Sequence, residues 1–183
     1  MGFKIPSVVS IAGSDSSGGA GIQADLKTIE ALGLFAQTAI TALTAQNTRG
    51  VSGVLDVPSE FVVQQIDAVF EDIRPGAVKI GMVSSALNVV AIAESLRAHA
   101  AENIVVDPVM VSTSGSRLIS DGASEALTGR LFPLASVITP NIPEAEVLWG
   151  RGIATKRDME AAAGELSERF GVAVLVKGGH GIS

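Results

Sequence analysis

The stretch Gly13-Ser-Asp-Ser-Ser-Gly-Gly-Ala-Gly-Ile-Gln-Ala-Asp25 holds the densest chemical signal in the chain. Four of its first nine residues are glycine, which lets a backbone approach a ligand closely and adopt positive φ. Asp25 lies four residues past Gly21. On a helix opened there, its carboxylate looks back toward the loop. A glycine floor beside one carboxylate suits a small ligand with donor groups and suits a bare phosphate less well. Gly19-Ala-Gly21-Ile-Gln-Ala24 formally matches a dinucleotide fingerprint, but that reading needs an acid near the end of the second strand. Thr38–Leu43 has none, and no Gly-Lys-Ser/Thr follows to make a Walker loop. A glycine-rich turn without a ligand is the plain alternative, and Asp25 makes it the weaker one.

Three further clusters have chemical potential. Thr139-Pro-Asn141-Ile-Pro-Glu144 ends a strand and opens a helix. Asn141 and Glu144 have capping-box spacing. The same pair beside a helix N-terminus has the groups to hold Mg²⁺ near polyphosphate, and local sequence does not choose between the two. Val176-Lys177-Gly-Gly-His180 places a lysine at a strand end, where it either reaches phosphate oxygens or is simply solvated in a turn. In Asp107-Pro-Val-Met-Val-Ser-Thr-Ser-Gly115 the aspartate is either a metal-facing carboxylate or an Asx turn before Pro108, and the Ser/Thr/Gly run is suited to a lid. Lys79 sits inside a short strand and calls for a carboxylate partner. His99 near a helix end complements the dipole.

These residues need elements to position them. Apolar β-type runs are expected at Ser7–Ala12, Phe35–Leu43, Val51–Val57 (an edge or excursion strand), Ala77–Ile80, Ile104–Val106, Ser136–Ile138 and Val172–Val176. Helices alternate with them. The first carries Ile22, Leu26, Ile29 and Leu32 on one face and stops at Gly33. The second is capped by Ser59, with Val62, Ile66, Val69 and Ile73 inward. A third starts at Ser84 or Ser85 and runs to about Ala98. A short one holds Leu127 and Leu131. A last one is capped by Thr155, with Met159, Ala163, Leu166 and Phe170 inward. This rhythm predicts an α/β fold, a three-layer αβα sandwich on a mostly parallel sheet. Such sheets bind ligands at the carboxyl ends of their strands, where the chemically loaded residues fall.

Bulk properties narrow the partners. The chain has 183 residues, a 47% hydrophobic fraction, a net charge of −6 and no cysteine or tyrosine. The length fits a single domain over 1–183. No basic field exists to hold nucleic acid or an anionic membrane, and thiolate metal sites and disulfides are excluded. No apolar stretch approaches the ~20 residues of a membrane helix. The N-terminus lacks a secretory pattern, which fits a cytoplasmic protein.

Together the motifs resemble the hydroxymethylpyrimidine/phosphomethylpyrimidine kinases of thiamine biosynthesis, within the ribokinase-like superfamily. The resemblance rests on Ala12–Thr28, Thr41–Thr48, Lys79-Ile-Gly-Met82, Asp107-Pro-Val-Met110, Ile138–Ala145 and Val176–His180, in register along the whole chain. It implies ATP-dependent phosphorylation of 4-amino-5-hydroxymethyl-2-methylpyrimidine and of its monophosphate. It implies that Gly13, Ala20, Asp25, Thr44, Gln46, Met82 and Val109 surround the pyrimidine. Asn141 and Lys177 would lie on the ATP phosphates, with Asp107 and Glu144 near Mg²⁺, and the protein would be a homodimer. Pyridoxal kinase is the near rival, and a non-catalytic pyrimidine-binding module the distant one. The family also has a Gly-Thr-Gly-Cys-type anion-hole segment with the catalytic base, and nothing up to Ser183 matches it. The resemblance therefore implies a ribokinase-like domain lacking its C-terminal part and inactive on its own.

Overall fold

Parallel strands covered on both faces should be apolar throughout, and most strands here are. The computed structural model describes residues 5–110 and 121–178. The elements are β1 (Ser7–Ala12), α1 (Gly21–Ala31), β2 (Phe35–Ile40), β3 (Ala42–Asn47), β4 (Gly50–Asp56), α2 (Ser59–Asp72), β5 (Ala77–Ile80), α3 (Ala86–Ala98), β6 (Ile104–Val106), α4 (Asp121–Ala126), β7 (Val137–Ile138), α5 (Ile142–Trp149), α6 (Lys156–Phe170) and β8 (Ala173–Val174). A π-type turn (Leu127–Leu131) and a 3-10 turn (Phe132–Leu134) join α4 to β7. The run 111–115, read above as a lid, and His180 lie outside the described residues.

The main sheet has the order β2-β1-β5-β6-β7-β8, and each of its pairings is parallel. The direction of travel reverses between β1 and β5, because α1 leads outward to β2 while later crossovers run the other way. Right-handed crossovers then place α1 on one face and α3 on the other, with α2 packed on α3. Strand alternation sorts the side chains accordingly. Val9, Ile11, Val78, Ile80 and Val106 enter one core with Val62, Ile66, Val89 and Ile92 of α2 and α3. Each such side chain contributes about 1.5–3 kcal/mol by burial. On the opposite face α1 buries Ile22 and Ile29.

Several boundaries differ from the sequence reading. The run Phe35–Leu43 is broken at Thr41, whose amide donates to Ala12 O at 3.0 Å and whose hydroxyl donates to Met82 O at 2.8 Å. The chain then leaves the sheet, and β3 pairs with β4 as a separate antiparallel ribbon. That is the excursion expected of Val51–Val57. Ser59 is the first helical residue and not the cap, because Pro58 takes the N-cap position without a side-chain bond. Phe70 replaces Ile73 in the buried stripe of α2, since Ile73 follows the helix end and is 42% exposed. Leu32 caps α1 and faces solvent. Ser85 sits at the α3 N-cap but makes no capping hydrogen bond. Thr155 caps α6 as expected, in a box with Asp158. The last strand shortens to β8, followed by an isolated bridge between Asn141 and Lys177. No helix among the described residues is long and apolar enough to cross a membrane.

Candidate functional site

The loop after β1 is organised by a residue that the sequence reading passed over. Asp15 is almost fully buried. Its carboxylate accepts hydrogen bonds from the amides of Ser17 (2.9 Å), Gly19 (2.9 Å) and Ala20 (2.8 Å) and from the Ser17 hydroxyl. Burial alone would push the carboxyl pKa up, but these donors outweigh it and hold the group below the ordinary carboxylate range. The amides a phosphate would need are thus filled by the protein's own anion. Gly21 then starts α1 at φ +54°, where a Cβ would collide with the Gly13 carbonyl oxygen. The same oxygen accepts the Ile22 amide at 3.0 Å.

The ribbon strand β3 braces this loop from the side. Thr44 donates its hydroxyl to Ser14 O at 2.8 Å, and the Gln46 amide donates to Ser16 Oγ at 2.9 Å. Among the described residues the half-buried Gln46 side chain has no hydrogen-bond partner. Met82, just past β5, lies with its methyl group against Gly13. Val109 is half-buried, one turn beyond Asp107. Asp25 faces back under the loop, where its Oδ2 accepts from Ser10 Oγ at 2.6 Å and from Lys79 Nζ at 2.7 Å. That carboxylate is the partner Lys79 called for.

A second group of residues follows β6, β7 and β8. Asp107 Oδ1 pairs with Lys177 Nζ at 2.5 Å and accepts a longer bond from the Thr139 hydroxyl at 3.3 Å. Lys177 reaches past the end of β7 to do so. Glu144 is 2% exposed. It accepts from the Asn141 amide at 2.9 Å and the Met110 amide at 3.3 Å, while Asn141 Oδ1 accepts the Glu144 amide. The capping box is therefore real. Burial raises the Glu144 pKa and the nearby charge of Asp107 adds to the rise, while bonds from Asn141 and Met110 and the charge of Lys177 only partly offset it. The cap thus lies within the field of the other charged side chains. The described residues contain no cluster of three or more His, Cys, Asp or Glu able to cage a metal. Two carboxylates plus water and phosphate oxygens suit Mg²⁺, which binds few protein ligands. The Lys177 ammonium already occupies a cation's place on Asp107, so that carboxylate fits the ion, while Glu144, with both oxygens on backbone amides, would reach it through water.

The structure brings every expected site residue to one rim, at the carboxyl ends of β1, β5, β6, β7 and β8 or on β3 beside it. The two groups adjoin because β5 and β6 are neighbours, about 4.8 Å apart. Asp15, Ser10 and Thr139 are additions. Ser10 had a legible signal, a polar residue at an inward strand position.

Comparison with known proteins agrees with this architecture. The family model described as "Phosphomethylpyrimidine kinase" matches residues 15–183. The hydroxymethylpyrimidine/phosphomethylpyrimidine kinase of Rhizobium meliloti is 56% identical over 94% of this chain and 65% of its own length. The thiamine biosynthesis bifunctional protein ThiED of Geobacter sulfurreducens is 55% identical over 97% of this chain and 36% of its own length. This chain thus spans about two thirds of the first of these relatives and about one third of the second. Among solved structures, the phosphomethylpyrimidine kinase of Clostridium difficile 630 superposes with a TM-score of 0.88 at 50% identity, covering 97% of this chain and 77% of that one. The pyridoxal kinase of Staphylococcus aureus in complex with pyridoxal superposes with a TM-score of 0.85 at 35% identity, covering 98% and 65%.

Proposed function

The chain belongs to the phosphomethylpyrimidine kinase family, and on that premise we propose that the full-length protein phosphorylates 4-amino-5-hydroxymethyl-2-methylpyrimidine, and then its monophosphate, at the expense of ATP in thiamine biosynthesis. One observation carries the reading. The glycine loop has its amides satisfied by Asp15, while among the described residues the Gln46 side-chain amide and Asp25 Oδ1 have no hydrogen-bond partner and the apolar Met82 methyl lies against Gly13. That combination favours a flat heterocycle with polar edges over a phosphate.

In this reading Gly13, Ala20, Asp25, Thr44, Gln46, Met82 and Val109 form the ring's seat. Gln46 and Asp25 meet its polar groups, and Met82 and Val109 cover the ring and its methyl. Asn141 and Lys177 serve the ATP phosphates. Asp107 and Glu144 would hold Mg²⁺, which when bound supplies charge neutralisation for the transferring phosphoryl group. Phosphoryl transfer depends mainly on such positioning and neutralisation. The cytoplasm is its proposed place of action. A homodimer is proposed as well, and the exposed Leu43, Val51, Val54 and Leu55 of the β3–β4 ribbon support it. Sedimentation of the full-length protein checks it.

Two measurements test the assignment. Under competing substrates, the full-length protein should prefer the hydroxymethylpyrimidine, and preference for pyridoxal would reverse the reading. Gln46→Ala should weaken pyrimidine binding roughly tenfold with ATP affinity nearly unchanged, whereas Lys177→Ala should weaken ATP roughly ten- to hundredfold. Equal effects of both on ATP alone would contradict the division of the site.

A further inference from the structure

Strand positions facing a packed helix are ordinarily apolar. Ser10 of β1 and Lys79 of β5 depart from this side by side. They are register partners in the parallel pair. Their sequence neighbours Val9, Ile11, Val78 and Ile80 turn to the opposite face and enter the core. Ser10 is completely buried, so its hydroxyl must find a partner. Both Ser10 and Lys79 choose the same atom, Asp25 Oδ2 on the first turns of α1, at 2.6 and 2.7 Å.

Gly81 leaves room for the lysine's head group. Residues two apart on a strand share a face, and a Cβ at Gly81 would lie 2.8 Å from Lys79 Nζ. Three elements therefore converge on one carboxylate oxygen, at the point where the strand order reverses and ligands bind in such sheets. Asp25 Oδ1 receives no hydrogen bond from any described residue. The pair is part-buried yet reachable, with 26% of the Lys79 side chain and 18% of the Asp25 side chain exposed. A part-buried pair must offset the desolvation of both charges, so it is weak evidence for a role in stability, which directs attention to its effect on orientation.

We propose that Lys79 and Ser10 are positioning residues. They fix Asp25 so that its single free oxygen accepts a hydrogen bond from a hydroxyl or amino group on the bound ring. They thereby select heterocycles that carry that donor, because a ring without it leaves a desolvated acceptor unpaired. This rests on the functional reading above.

Calorimetry on the full-length protein tests it with three probes. These are 4-amino-5-hydroxymethyl-2-methylpyrimidine, its analogue with methyl in place of hydroxymethyl, and its analogue lacking the amino group. Lys79→Met should weaken the parent compound roughly tenfold or more. It should leave the analogue that lacks Asp25's donor within about twofold of wild type, as a role in positioning Asp25 requires. In an Asp25→Asn background the same substitution should change affinity by less than about twofold. Lys79→Arg should recover part of the loss. Ser10→Ala removes one oxygen and should show a smaller loss of the same selectivity, which keeps the test open if Lys79→Met folds poorly. Equal weakening of all three probes, or an undiminished effect of Lys79→Met without Asp25, would overturn the positioning role and leave the function standing. If the unaltered protein binds none of the rings, the functional reading falls first and takes this inference with it.

Discussion

Asp15 and Glu144 are carboxylates with 2% of their surface exposed, set after β1 and after β7 on the same rim. Their surroundings drive them in opposite directions. Burial disfavours charge on both, but Asp15 collects three amides and a hydroxyl from residues within five positions of it and stays readily ionised. Glu144 receives two amides, one of them at 3.3 Å, and lies near a second carboxylate, Asp107. The contrast teaches that the pKa of a carboxylate hidden from solvent is pushed up or down according to how its hydrogen-bond donors balance its desolvation. It also separates two kinds of site. The loop is closed on itself and offers shape, whereas the Asp107–Glu144 region sets two carboxylates beside a single ammonium, that of Lys177.

Removing the loop's anion is the strongest way to break that comparison. Asp15→Ala strands three amides and should cost about 3 kcal/mol or more. Denaturant unfolding measures this, and a loss under about 1 kcal/mol would mean the loop does not depend on Asp15. A smaller effect comes from pH, where the two carboxylates should act with opposite sign. The folded pKa of Asp15 is lowered, so its contribution is present above the unfolded carboxylate pKa and is lost as pH falls through the folded value. Asp15→Asn should flatten that acid limb. The folded pKa of Glu144 is raised, so its contribution is full below the unfolded value and fades as pH rises through the folded one. Glu144→Gln should remove that decline. Stability curves of the two variants that tracked each other across pH would erase the contrast. The smallest effect should come from Thr44→Val, which deletes the 2.8 Å bond to Ser14 O and should cost about 1 kcal/mol. No change in unfolding midpoint would show that the ribbon does not brace the loop.

Much of this was legible before any coordinates. Short apolar runs bounded by Gly, Asp and Thr gave β1, β5 and β6 their limits, because parallel strands buried on both faces leave little choice of residue. The Asn141–Glu144 cap was legible from spacing, and it proved to coexist with the charged cluster. Asp15 was not, because Ser14, Asp15, Ser16 and Ser17 are all ordinary turn residues and only the fold selects one of them. The partner of Lys79 lies 54 residues away and follows from strand order, which no local pattern encodes. Ile73 was misplaced because a helix face admits steps of three or four, and the step to Phe70 is four.

The buried counter-charge of Asp15 has one more consequence. A turn held together by its own internal bonds keeps its form while empty, so under the proposed function an arriving ring would meet a seat already moulded. Little backbone freedom would remain to be surrendered at that moment, and the strength of the contact would then reflect how well the ring matches the contour it finds.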